Sequence, residues 1–120
     1  MSIDLVVTFV LFSLAAAAGA GIRFVVGGSL DNDDLPMGTL AVNILASFAL
    51  GIITGAGDPL PTVLGIGAIG ALSTWSATAN EAAEMSREGK GVLAGAYLAL
   101  SVSSCVLAAW FGLRLGPVVL

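Results

Sequence analysis

Four apolar stretches, each about as long as a bilayer is thick, govern what this chain can fold into. They run roughly from Leu5 to Val26, Met37 to Gly55, Thr62 to Met85 and Gly91 to Leu113. A helix needs about 20 apolar residues to cross the hydrocarbon core, and each stretch comes close to that length or exceeds it. The connections, Gly28 to Pro36, Ala56 to Pro61 and Ser86 to Lys90, are short. Pro36 and Pro61 stand just before the second and third stretches, where a missing backbone donor costs little. The pattern predicts an all-α membrane protein of four transmembrane helices, with residues 1–120 forming one unit.

Composition closes off the soluble alternatives. Of 120 residues, 58% are hydrophobic and only 10% charged. A soluble domain carries about a quarter charged residues, and no fold this small hides so much apolar surface from water. The first stretch has no basic segment before it, since Asp4 is the only early side-chain charge. Three more apolar stretches follow, so it reads as a retained helix rather than a signal peptide. The expected location is the cell membrane, crossed several times. The formal charge is -4, with its densest acidic cluster at Asp31-Asn32-Asp33-Asp34. That balance argues against nucleic acid or an anionic lipid surface as a partner. Histidine is absent and Cys105 is the single cysteine. No disulfide or histidine–cysteine metal cluster is available, and with no nucleophile–base pair an enzyme is not expected.

Orientation is weakly specified. Setting aside Arg23, which lies inside the first helix, one side gains Arg87 and Lys90, the other Arg114 and the amino terminus. Basic residues in loops set orientation, so near balance predicts antiparallel, dual-topology assembly. Small residues spaced by four, Gly51/Gly55 and Gly91/Gly95, mark candidate close approaches between helices.

Polar residues inside the stretches are the candidate functional ones, because polar groups in hydrocarbon are costly and mark pathways for ions or substrates. The third stretch holds Gly70-Ala71-Leu72-Ser73-Thr74-Trp75-Ser76-Ala77-Thr78-Ala79-Asn80-Glu81. Its glycines and crowded hydroxyls predict a broken helix between Gly70 and Ser76, where freed carbonyls bind a cation and freed amides an anion. In the second stretch Thr39, Asn43 and Ser47 form a stripe spaced by four. Asn43 either donates to an anion or bonds a neighbouring helix. Tyr97, Ser101 and Cys105 repeat that spacing in the fourth stretch. Glu81 follows the hydroxyl run, and Glu84 reads as a solvated end-of-helix charge. Arg23 either snorkels to the interface or draws anions to a pathway mouth.

These segments resemble the Fluc/CrcB family of small fluoride channels over nearly the whole chain. Gly19-Ala20-Gly21-Ile22-Arg23-Phe24 is similar to the family's first-helix signature, and Gly38-Thr39-Leu40-Ala41-Val42-Asn43 to its second. The run from Gly70 to Thr78 is similar to its third-helix motif, and Tyr97 and Ser101 fall where the family has Tyr and Ser. The resemblance implies a fluoride-selective channel subunit that exports fluoride passively, built as an antiparallel dimer with a pore along each subunit interface. It further implies a structural sodium ion at the dimer centre, held by backbone carbonyls of Gly70 and Ser73. An ion path would pass Arg23, Asn43, Ser73, Thr74, Trp75, Thr78, Glu81, Tyr97 and Ser101, with Cys105 in line with the polar track. Two family phenylalanines correspond here to Trp75 and Thr78, the Thr before the second of them to Ala77, and Cys105 stands where a hydroxyl is expected. The chain therefore forms either a homodimer with an altered lining or a heterodimer with a related subunit that supplies the rings.

Two other classes compete. A non-conducting structural subunit fits the changed lining and predicts no flux from this chain alone. A small multidrug-type exporter shares the size, but needs a carboxylate buried in the first helix, which holds none after Asp4.

Overall fold

The computed structural model describes residues 3–30, 35–57, 65–70 and 75–120. Four helices carry the fold. Helix α1 spans Ile3–Leu30 and α2 spans Met37–Ala56. Helix α3 covers Trp75–Arg87, and α4 runs from Gly91 to Val119. A further helical segment occupies 65–70. Two helices outrun the expected ends. Helix α1 continues to Leu30, and α4 continues past Leu113 through Leu115, Val118 and Val119, which prolong its apolar run. Three helical segments are long and apolar enough to cross a membrane: Ile3–Val26, Met37–Ala56 and Gly91–Val119. The third expected span is represented by 65–70 and by α3. Its predicted interruption, with Ser73 and Thr74, falls on 71–74, outside the described residues, as does Pro61.

Helices α2 and α4 run parallel and form the spine. Gly51 and Gly55 of α2 meet Gly112 and Gly116 of α4. A Cβ on Gly112 would collide with the Phe48 carbonyl, and one on Gly116 with the Ile52 carbonyl. A Cβ on Gly51 would strike the Ala109 carbonyl, and one on Gly55 would lie 2.5 Å from the Leu113 carbonyl oxygen. Such backbone-to-backbone packing is how membrane helices gain contact where lipid offers no hydrophobic drive. Pro117 lies inside α4 and has no amide to donate to the Leu113 carbonyl one turn back, the same carbonyl that Gly55 approaches. Only half of the expected small-residue pattern is used within the chain. Gly91 and Gly95 have open space where a Cβ would stand.

Helix α3 returns antiparallel to α4 through a tight reversal. Gly89 takes φ 82°. Its N–H bonds the Ser86 carbonyl at 3.1 Å, and the Lys90 N–H bonds the Met85 carbonyl at 2.9 Å. These two bonds close the α3 C-terminus as a Schellman motif, which needs a left-handed residue at Gly89. Leu40, Ala82, Met85, Ala94 and Tyr97 pack into a buried cluster beside this turn. The cluster fixes α3 against the N-terminal halves of α2 and α4. Glu84 is exposed and pairs with Arg87, as a solvated helix-end charge should. The segment 65–70 lies between α1 and α2, with Gly19 against Ala68, Gly67 against Phe12 and Gly65 against Ile53. The outer faces of α1 and α4 leave large apolar side chains exposed, among them Phe9, Phe24, Val106 and Phe111. A bilayer supplies the environment these faces need.

Candidate functional site

Because α2 and α4 run parallel while α3 runs against them, three stripes of polar residues meet level by level. Each step of four residues climbs about 6 Å along a helix, so the levels stack like rungs. At the first rung Glu81 of α3 lies between the two spine helices. Thr39 Oγ1 donates to Glu81 Oε1 at 2.6 Å, and Tyr97 OH donates to Glu81 Oε2 at 2.7 Å. Both distances suit hydroxyl donors to a carboxylate. One side chain thereby ties α2, α3 and α4 together.

At the second rung Asn43 Nδ2 donates to Thr78 Oγ1 at 3.0 Å. Asn43, Thr78 and Ser101 are all buried, Thr78 to 1% exposure. The Ser101 hydroxyl lies at this level and has no hydrogen-bond partner among the described residues. At the third rung stand Ser47, Trp75 and Cys105. A cavity of about 220 Å³ opens between the second and third rungs, lined by these six residues and walled by Val102 and Val106. A second cavity of about 250 Å³ shares Ser47 and runs past Thr54 to Leu113.

The structure thus brings together Asn43, Thr78, Ser101 and Trp75 around one space, with Glu81 and Tyr97 joined one rung away. Trp75 is 58% exposed and stands at the edge of that space. Arg23 is half-buried on α1 and lines neither cavity. Gly70 is exposed, with nothing within 4 Å of where its Cβ would stand. Ser73 and Thr74 lie outside the described residues. The interhelical bond expected of Asn43 is present, and the residue also borders the cavity.

Two features escape a reading of the sequence. The Gly112/Gly116 pair has the same spacing as Gly51/Gly55 and is its partner. Thr54 continues the Asn43–Ser47 face after two further turns, a spacing of seven that keeps it on one side of α2.

Residues 10–113 match the family described as "CrcB-like protein, Camphor Resistance (CrcB)". The chain belongs to the CrcB family. It is 34% identical to "Fluoride-specific ion channel FluC" of Pseudoalteromonas translucida, over 88% of this chain and 96% of that protein. It is 38% identical to "Fluoride-specific ion channel FluC 1" of Symbiobacterium thermophilum, over 91% of this chain and 97% of that protein. The FluC of Xylella fastidiosa is 33% identical, over 93% of this chain and 85% of that one. Membership in the CrcB family, with three helical segments of spanning length, makes this a multi-pass membrane protein.

Proposed function

We propose that this chain is a subunit of a fluoride-specific channel, conducting passively through the space between the second and third rungs. The observation that carries the reading is the buried Ser101 hydroxyl, without a partner among the described residues, in a cavity of about 220 Å³ that Asn43 also lines. A buried polar group almost always has a partner, so a hydrogen-bonding occupant completes this rung. Fluoride is small and strongly hydrated, and it enters a pore only where donors replace its water. Asn43, Thr78 and Ser101 supply such donors, and the relatives' names point to the same ion.

The assembly belongs to the same proposal. Two antiparallel copies, or this chain with a related four-helix subunit, would bury the apolar faces that lipid does not cover. A twofold axis brings equivalent residues together. Gly70 fits a place at that axis, because it is exposed and no described residue crowds it. Sodium held by the carbonyls of Gly70 and Ser73 would neutralise a cluster of backbone dipoles there. Arg23, Ser73, Thr74 and Trp75 complete the proposed path, with Arg23 drawing anions to its mouth. A second reading has one observation in its favour. Thr78, which stands where the family carries a ring, is tied to Asn43, so this chain would contribute donors while a partner contributes the aromatic edges.

The test is fluoride efflux from liposomes holding this chain alone and together with a related subunit that carries both phenylalanines. Efflux above protein-free liposomes in either preparation supports the channel. Efflux only with the partner selects the heterodimer, and none in either refutes the proposal.

A further inference from the structure

Cys105 has no part in the hydrogen bonds that build the rungs. It is half-buried on α4 and lines the cavity one helical turn beyond Ser101. A thiol is a weak hydrogen-bond donor and acceptor, so it is a poor substitute for a hydroxyl on the path of a strongly hydrated anion. What distinguishes it is nucleophilicity, which resides in the thiolate. A second observation points to a ligand in the space beside it. Ser101 is 3% exposed, lines the same cavity, and its hydroxyl has no partner among the described residues. The rest of the wall offers an amide, hydroxyls, an indole and two valines, none of which competes for a thiol-directed reagent. Cys105 is also the single cysteine of the chain.

We propose that Cys105 is a covalent modification site inside the cavity, at which a small thiol-directed electrophile closes the path. The closure rests on the channel reading above, whereas the site rests on the cavity alone. With a methyl thiosulfonate the step is a simple exchange. The Cys105 thiolate attacks the sulfenyl sulfur, a new S–S bond forms, and the bond between that sulfur and the sulfonyl sulfur breaks. Methanesulfinate leaves with the electron pair, and the thiol's proton goes to the buffer. The added methylthio group then projects beside Ser101 and Asn43 and displaces their occupant. A reducing dithiol reverses the exchange through a mixed disulfide.

The experiment uses the full chain in liposomes, treated with methyl methanethiosulfonate in mildly alkaline buffer. Intact-protein mass reports modification and a fluoride electrode reports efflux. The expected result is one added methylthio group per chain, loss of efflux, and recovery of both on adding dithiothreitol. Fluoride should slow the modification relative to an equal concentration of gluconate. Cys105→Ser, compared with its own untreated rate, should lose nothing on treatment and gain no mass. Full modification with efflux unchanged would overturn the proposal, as would a thiol that reacts only after denaturation. Inhibition of Cys105→Ser to the same extent would overturn it too. Absence of efflux before treatment is a failure of the channel reading instead. The mass and the fluoride protection then decide whether the site stands.

Discussion

The spine of this protein has two unlike ends built from the same two helices. Toward the C-termini of α2 and α4, Gly51 and Gly55 press backbone to backbone against Gly112 and Gly116. Toward their N-termini, α3 stands against both helices and fills the space with Glu81, Thr78 and Trp75. One end is closed by the absence of side chains, the other is built from polar ones. The difference shows how a chain of four short helices holds polar groups in hydrocarbon. Close packing at the glycine end fixes the register of α2 and α4, and that register sets their polar stripes level with each other. The polar end can then leave a space without the helices separating.

Breaking the glycine end should have the largest effect. In Gly112→Leu the new side chain meets the Phe48 carbonyl and the Ile52 amide, which cannot rotate away. Overpacking usually costs about 1–3 kcal/mol, occasionally more, and the rigid neighbours put this variant at or above about 3 kcal/mol. Denaturant titration in detergent micelles should show the loss, and wild-type stability would contradict the role given to this crossing. Glu81→Ala comes next. It removes the acceptor of the buried Tyr97 hydroxyl and one of the interactions of Thr39, and a buried group that loses its partner costs about 1–3 kcal/mol. The same titration checks it. Tyr97→Phe removes one donor and leaves Glu81 its bond from Thr39. Interhelical hydrogen bonds in membranes average about 0.6 kcal/mol, so the shift should be small, and one larger than that of Glu81→Ala would reverse the ranking. Gly95→Ala should cost nothing. Its spacing with Gly91 imitates Gly51/Gly55, yet a Cβ there meets open space, and alanine favours the helix by up to about 1 kcal/mol. A fall in stability would place Gly95 in a contact that the single chain does not contain.

Much of this contrast is legible in the amino-acid sequence. Helices α1, α2 and α4 follow from apolar length, and the stripes Thr39–Asn43–Ser47 and Tyr97–Ser101–Cys105 follow from a spacing of four. Sequence spacing describes one helix at a time, however. It cannot state that Glu81 joins Thr39 to Tyr97, because that depends on α3 running against a parallel pair. It selects Gly91/Gly95 and passes over Gly112/Gly116 for the same reason. Both pairs have the same spacing, and only the partner helix decides which one is used. The predicted interruption of the third helix rests on 71–74, outside the described residues, and stands as an expectation from the sequence.

In the proposed function the polar end of the spine carries fluoride. The most direct test is fluoride efflux from liposomes containing Asn43→Asp, in the homomeric or paired form in which the wild type conducts. A carboxylate at the second rung replaces a donor with a negative charge beside the cavity, and like charge in a narrow site repels the ion. The glycine crossing is untouched, so assembly should elute as wild type does. The expected result is correctly assembled protein with efflux no faster than protein-free liposomes. Efflux at the wild-type rate would contradict it.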